Sequence, residues 1–144
     1  MSFGIDVNIL LYASDRSSPL HAKAAAFLHH SVAGTEVFCI AWLTAMSYLR
    51  MATHPSIFAK PLSPDEAAAN VQALLSVSHC RALGEEAGFW AEYQQVTQGL
   101  VVRGNLVPDA HLAAVLHQHG VVKLYTHDKD FRKFDFLQVI DPVA

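Results

Sequence analysis

The sequence is poor in charged residues and in cysteine, and both shortages limit what the protein can be. Charged side chains make up 16% of the 144 residues and apolar ones 52%, a composition typical of a packed globular chain and not of a disordered one. The net charge of −3 provides no overall attraction to nucleic acid, so such binding requires a local basic patch. Cys39 and Cys80 are too few for a disulfide framework, and we expect two free, buried thiols.

Targeting segments and several well-known motifs are also missing. The start, MSFGIDVNILLYA, has no basic region, and its apolar run is too short to cross a bilayer, which favours a cytoplasmic protein. There is no P-loop and no GxGxxG to cradle a nucleotide. There is no HExxH, and His111, His117 and His119 are expected on different faces of one helix. A zinc site is therefore not expected.

Short β-rich runs alternate with amphipathic helices along the whole chain. The length suits one domain over residues 1–144. The alternation predicts a three-layer α/β/α sandwich with a central, mainly parallel sheet. One helix start is especially clear, because Ser63, Pro64 and Glu66 form the pattern of a capping box.

Other elements are predicted from apolar spacing. Residues 79–83 are expected to form a short strand, and Phe89 to Val101 a helix. A further helix is predicted from Ala41 to about Thr53, with an apolar stripe in the core that consists of Trp42, Leu43, Met46 and Leu49.

Acidic residues follow two of the predicted strands and open one helix. Asp6 follows the run Phe3 to Ile5, and Asp128 and Asp130 follow the run ending at Tyr125. Asp109 is expected in the first turn of a helix that ends at Gly120. Asp6 could equally be a helix N-cap, but the same arrangement at Asp128 favours a functional reading. A parallel sheet brings such positions to one edge, where α/β folds bind ligands.

Carboxylates gathered in this way repel one another unless a cation lies between them. Oxygen-rich sites suit Mg²⁺ or Mn²⁺, and such cations commonly assist reactions at phosphate. Since no nucleotide cradle is present, hydrolysis of a phosphodiester fits better than use of ATP.

Four segments resemble the PIN-domain ribonucleases, and more closely the VapC toxins of bacterial toxin–antitoxin pairs. They are DVNILLYA, SYLRMATHPSIFAKPLSPDEA, GNLVPDAHLAAVLHQHG and YTHDKDFRKF, followed by IDPVA at the end. Each segment alone is weak evidence for the resemblance. Together, in this order and at this spacing, the segments span nearly the whole chain. The resemblance implies a PIN-like fold, a Mg²⁺- or Mn²⁺-dependent endoribonuclease acting on RNA, inhibition by a small antitoxin, and a homodimer.

The resemblance also assigns roles to individual residues. Asp6, Asp109 and Asp128 match the first, third and fourth family acids, and Asp130 is an additional acid that could reach the metal. Thr126 would orient the site through its hydroxyl. Asn8 is expected to cap its helix or to brace a neighbouring carboxylate.

The second family acid is missing from this chain. The family glutamate lies three residues before an arginine, a place that Ser47 holds here, before Arg50. Glu36 lies near the opposite end of its strand and is not expected to substitute. Ser47 is therefore predicted to support the metal only through water, and Arg50 either to pair with a site acid or to contact RNA.

Lys129, Arg132 and Lys133 form a small basic cluster after Asp128 and are the predicted RNA contacts, with Arg103 a further candidate. A groove for an antitoxin segment is predicted near Leu10–Tyr12, Trp42–Leu49 and Phe58.

Two other functions remain open from the sequence. Because one acid is absent, the chain could be a PIN fold that binds RNA or protein without cutting. An aspartyl-nucleophile phosphohydrolase is the weaker alternative, because Asn8 stands where such enzymes carry a second aspartate.

Overall fold

The computed structural model describes all 144 residues, arranged around one sheet of five parallel strands. The strands are β1 (Ser2–Ile5), β2 (Val37–Ala41), β3 (Cys80–Leu83), β4 (Lys123–Tyr125) and β5 (Gln138–Ile140). Their order in the sheet is β3-β2-β1-β4-β5. The chain thus places β2 and β3 on one side of β1 and then places β4 and β5 on its other side. This reversal leaves a crevice between β1 and β4, the place where open α/β sheets bind ligands.

Helices cover both faces of the sheet. One face carries α1 (Val7–Ser14), α2 (His21–Ala33), α3 (Trp42–Ala52) and α4 (Pro64–Leu75), and the other carries α5 (Phe89–Val96) and α6 (Leu106–Gln118). A short 3₁₀ helix (Lys129–Lys133) follows β4. The predicted three-layer α/β/α sandwich with a parallel sheet is confirmed. No helix is both long enough and apolar enough to span a membrane.

Gly4 allows α6 to lie unusually close to the central strand. Phe3 and Ile5 belong to the core under α1 to α4, so Gly4 faces the opposite side of the sheet. A Cβ atom at Gly4 would lie 3.0 Å from Cδ2 of Leu116. The absence of a side chain at this position therefore lets α6 pack against β1.

The ends of two helices follow the predicted motifs. In α4, Oγ of Ser63 accepts from the Glu66 amide and Oε1 of Glu66 accepts from the Ser63 amide, each at 3.1 Å. After α6, Gly120 has φ +69°. The amides of Gly120 and Val121 donate to the carbonyls of His117 and Leu116, the hydrogen bonds of a Schellman motif.

The predicted core stripe of α3 is wrong for its two largest residues. Trp42 and Met46 are 48% and 52% exposed. The buried residues of this helix are instead Thr44, Ala45, Tyr48 and Ala52. Small residues at 45 and 52 let the helix backbone approach the sheet, so the face that packs is rotated from the one with the longest apolar side chains.

The helix predicted from Phe89 to Val101 ends earlier, at Val96. Oγ1 of Thr97 donates to the carbonyl of Tyr93 at 2.8 Å, and Gly99 has φ +79°. A side chain that bonds back to the helix, followed by a left-handed glycine, stops further turns. The predicted strand after His79 is confirmed, beginning at Cys80.

The three histidines of α6 were expected to point to different faces, but all meet glutamates of one neighbouring segment. The pairs are His111 with Glu85, His117 with Glu92, and His119 with Glu86. They attach α5 and the loop before it to α6. Both cysteines are free, with Cys39 buried and Cys80 only partly buried.

Candidate metal centre

Three carboxylates meet at the carboxyl edge of the sheet, beside the crevice between β1 and β4. One oxygen from each of Asp109, Asp128 and Asp130 lies within 4.8 Å of the others. Asp109 stands in the first turn of α6, and Asp128 follows β4. Oδ1 of Asp128 accepts from the Asp130 amide at 2.9 Å, which begins the 3₁₀ helix and brings Asp130 to the cluster.

Asp6 is adjacent to this cluster but is held differently. It is 8% exposed and caps α1, with Oδ1 accepting from the Val7 amide at 2.8 Å. Oδ2 accepts from the hydroxyl of Thr126, also at 2.8 Å. Asp6 is thus both a helix cap and a neighbour of the site, and it does not belong to the compact group of three.

The hydroxyl of Thr126 connects the residues on the two sides of the crevice. Thr126 is 1% exposed. Its Oγ1 donates to Asp6 and accepts from the Asp128 amide at 3.0 Å and from Nδ2 of Asn8 at 3.2 Å. Asn8 therefore braces the end of β4 instead of capping its own helix. All hydrogen-bonding positions of this hydroxyl are used.

The electrostatics of the cluster are unfavourable without a cation. Desolvation, followed by the charges of Asp128, Asp6 and Asp130, raises the pKa of Asp109 to about 7. Burial is the main cause that raises the pKa of Asp6, against the hydrogen bond from Thr126, which lowers it. Lys133 compensates in part, because its Nζ lies 3.8 Å from Oδ1 of Asp130.

This group of donors is suited to a hard divalent cation. All three are carboxylate oxygens, the ligands that Mg²⁺ and Mn²⁺ prefer, and no histidine or cysteine belongs to the group. A cation between the oxygens would also remove the repulsion that raises the pKa of Asp109.

The residues predicted around the missing second family acid lie apart from these contacts. Ser47 is half-buried on α3 and takes no part in the hydrogen bonds that join Asp6, Thr126 and Asp128. Glu36 lies just before β2 and pairs with Lys123 at 3.7 Å. It does not join the carboxylate cluster, as predicted. Arg50 is exposed near the end of α3, and the ion pair at the cluster is formed by Lys133 instead.

The predicted RNA contacts are accessible. Lys129, Arg132 and Lys133 are exposed on the 3₁₀ helix, directly after Asp128, and Arg103 is exposed in the loop before α6. These positive charges flank the carboxylates.

Three further side chains border the site that sequence reasoning did not place there. Nδ1 of His127 hydrogen-bonds Oδ2 of Asp141 at 2.8 Å, and the ring of Tyr12 contacts His127 edge-on at 5.9 Å between centroids. Desolvation first, and then the charges of Asp141, Asp128 and Asp6, raise the pKa of Tyr12. His127 and Asp141 meet because β4 and β5 are neighbours in the sheet and each residue follows the end of its strand.

The model of the PIN domain matches residues 5–137, which is most of the chain, and the chain belongs to this family.

Within it, the chain is 42% identical over 144 residues to Ribonuclease VapC48 of Mycobacterium tuberculosis, covering all of this chain and 99% of the relative. It is 33% identical to Ribonuclease VapC24 of the same species, covering 97% and 96% of the two chains.

Solved structures share the fold at low sequence identity. VapC20 of Mycobacterium tuberculosis, a toxin that cleaves the sarcin–ricin loop, superposes with a TM-score of 0.69 at 16% identity, covering 96% of this chain and 99% of that one. VapBC2 of Rickettsia felis, bound to a promoter DNA fragment, gives 0.67 at 15% identity, covering 97% and 98%.

We predict that Thr126→Val destabilises the protein by about 2 kcal/mol, because it removes the hydrogen bonds that Thr126 makes with Oδ2 of the buried Asp6 and with the Asp128 amide. Thr126→Ser keeps the hydroxyl and should cost less, about 1 kcal/mol for the lost methyl group. Urea unfolding measures both. Equal losses in the two variants would show that the hydroxyl is not what holds these segments together.

We predict that Asp109→Asn stabilises the metal-free protein at pH 8. Because the folded pKa of about 7 exceeds the unfolded value near 3.9, ionising Asp109 weakens the fold progressively as the pH rises from about 4 to 7. Discounted for a half-exposed carboxylate, the gain should be about 1 kcal/mol.

The gain should be absent at pH 3.5, and added Mg²⁺ should stabilise the wild type more than the variant. Thermal unfolding in EDTA and in Mg²⁺ measures both effects. Asp135→Asn, at an exposed acid outside the cluster, is the control and should change neither. A destabilised Asp109→Asn would contradict the repulsion.

Proposed function

We propose that this chain, as a single PIN domain over residues 1–144, is an endoribonuclease toxin that hydrolyses RNA phosphodiester bonds with Mg²⁺ or Mn²⁺. The observation that supports this most is the group formed by Asp109, Asp128 and Asp130, with oxygens within 4.8 Å. It lies at the crevice of a chain that is 42% identical to a named ribonuclease over its full length.

The acids have different parts in this proposal. Asp109, Asp128 and Asp130 would hold the cation, which when bound supplies positive charge against the phosphate and lowers the pKa of water. Asp6, with both oxygens already hydrogen-bonded, adds negative charge at the same edge and belongs to the metal set of the family resemblance. Thr126 keeps Asp6 and Asp128 at fixed separation, and Asn8 steadies Thr126.

Substrate binding falls to the basic residues. Lys129, Arg132 and Lys133 would contact backbone phosphates on one side of the carboxylates, which an otherwise acidic chain needs for RNA binding. Arg50 and Ser47 stay as supporting predictions, Ser47 through water. We also propose that the protein acts in the cytoplasm, where its proposed RNA substrate is found.

A second candidate function is a PIN domain that binds RNA or protein without cutting. Ser47 in place of the family glutamate favours it, because one carboxylate fewer weakens cation binding.

The two candidates differ in one assay. Purified protein, free of antitoxin, is incubated with total RNA with Mn²⁺ or with EDTA, beside Asp109→Asn and the control Asp135→Asn. We expect discrete fragments with Mn²⁺ from wild type and control, and at least 100-fold slower cleavage by Asp109→Asn. RNA binding without cleavage in Mn²⁺ or Mg²⁺ would support the binding module and overturn the nuclease.

The proposed protein partner is a small antitoxin, and a cavity among the helices on one face of the sheet offers it a groove. This cavity, of about 550 Å³, opens between α1, α2, α3 and α4. Most of its lining is apolar and includes Leu10, Ala45 and Leu74. The predicted wall at Phe58 is wrong, because Phe58 is only 3% exposed and lies in the core; Trp42 and Met46 do not line the cavity either.

The cavity also contains a polar cluster that an apolar segment alone would not satisfy. Oη of Tyr48 lies 2.7 Å from Oγ of Ser14 and accepts from Nδ2 of Asn70 at 2.9 Å. Arg16 and Glu66 stand among the lining residues. We therefore propose an amphipathic antitoxin segment with a hydrogen-bonding side chain for this cluster. Since Asp6 caps the start of α1, a segment that continues along this helix would place a basic residue among the acids.

We predict that Ala73→Arg, at an exposed position of α4 that lines the cavity, blocks this docking. The probe is the small antitoxin that the family resemblance implies, co-expressed and purified with the chain. Its affinity should fall at least tenfold, and cleavage of RNA should escape inhibition. Ala68→Arg, exposed on the opposite side of α4, is the matched control. Equal affinity for both variants would place the docking site elsewhere.

A homodimer is also part of the proposal, on the strength of the family resemblance. Trp42 and Met46 provide an exposed apolar face on α3 that such an association could cover.

A further inference from the structure

His127 is held beside the carboxylates without contributing to them. It follows Thr126 and precedes Asp128 in the chain, and its backbone amide donates to Oδ1 of Asn8 at 3.4 Å. Its side chain is 38% exposed. The ring lies between Asp141, which follows β5, and Tyr12, which projects from α1.

Asp141 fixes which ring nitrogen faces solvent and what it can bind. A carboxylate oxygen accepts hydrogen bonds, so Nδ1 of His127 is the donor in the 2.8 Å contact. In the neutral imidazole, Nε2 is then the nitrogen that accepts. Asp141 is itself steadied, because its Oδ1 accepts from the Val143 amide at 3.0 Å. The edge-on Tyr12 ring, at 79° to the imidazole, limits rotation from the other side.

An accepting nitrogen distinguishes between the groups of a nucleotide. Phosphate oxygens without a proton have no hydrogen to give, whereas the ribose 2′-hydroxyl donates one, and DNA lacks it. Under the proposed function, the scissile phosphate lies at Asp109, Asp128 and Asp130. The basic residues of the 3₁₀ helix follow Asp128 in the chain, and His127 precedes it. An RNA strand bound across these carboxylates would therefore bring an adjoining ribose towards His127.

We propose that His127, held by Asp141 and Tyr12, positions the substrate by accepting a hydrogen bond from the 2′-hydroxyl of a nucleotide next to the scissile phosphate. This makes His127 a residue that favours RNA over DNA at this site. Asp141 acts through His127. The inference rests on the proposed ribonuclease function and adds to it the group by which the substrate is recognised.

The test compares an RNA oligonucleotide with two chimaeras that carry one 2′-deoxynucleotide, on either side of the cleaved bond. A neutral hydrogen bond of about 1 kcal/mol corresponds to a roughly fivefold preference in kcat/KM for the all-ribose strand. In His127→Phe the preference should fall towards one for the chimaera that lacks the recognised hydroxyl. In His127→Gln, whose side-chain oxygen also accepts, it should be partly restored. His29→Phe, at an exposed histidine of α2, should keep the wild-type preference.

The outcomes separate this inference from the function on which it rests. If the wild type cuts RNA and His127→Phe keeps the full preference, the role of His127 is overturned and the ribonuclease stands. If the wild type cuts none of the three oligonucleotides, the ribonuclease fails, and the ratio of binding affinities for the RNA and each chimaera provides the same test. Equal affinities in wild type and His127→Phe overturn the inference there as well.

Discussion

The hydroxyl of Thr126 is the contact on which the arrangement of the acids depends. It joins the start of α1, through Asp6 and Asn8, to the end of β4, through the Asp128 amide. The strand order makes β1 and β4 adjacent but does not fix the loops that follow them. A hydrogen bond across the crevice is therefore needed to fix the positions of the carboxylates. A buried hydroxyl with all its positions occupied provides that bond, and its single donated hydrogen goes to a carboxylate, which strengthens it.

This arrangement keeps like charges close at a cost in stability. The helix α6 can approach β1 because Gly4 has no side chain, and its first turn then places Asp109 within reach of Asp128. Asp130 joins them because Asp128 caps its amide. Desolvation, and then repulsion by the neighbouring carboxylates, raises the pKa of Asp109 to about 7. A protein that maintains such a group holds it ready for a cation, in keeping with the preorganisation that binding sites require.

The sequence was sufficient for the architecture and for the neighbourhood of the acids. Alternating strands and helices predicted the parallel sandwich, and Ser63 and Gly120 marked helix ends through local hydrogen bonds that any fold would keep. The face of α3 could not be read in this way, because packing at Ala45 and Ala52 depends on how close the helix lies to the sheet. The entry of Asp130 depends on the 3₁₀ turn, and the pairing of His127 with Asp141 on contacts between strand ends. The site residues themselves stay predictions until the variants are measured.

The two hydrogen bonds of the Asp6 carboxylate, from the Val7 amide and the Thr126 hydroxyl, matter for the choice of an inactive variant that would trap the substrate. A substitution at this first acid would disturb more than the site, because Asp6 also caps α1 and receives the Thr126 hydrogen bond. An amide there would turn one acceptor into a donor facing the Val7 amide or the Thr126 hydroxyl, so lost activity would not distinguish a missing ligand from a disturbed helix. Asp109 carries no structural hydrogen bond of that kind, so we expect its replacement to leave the crevice intact.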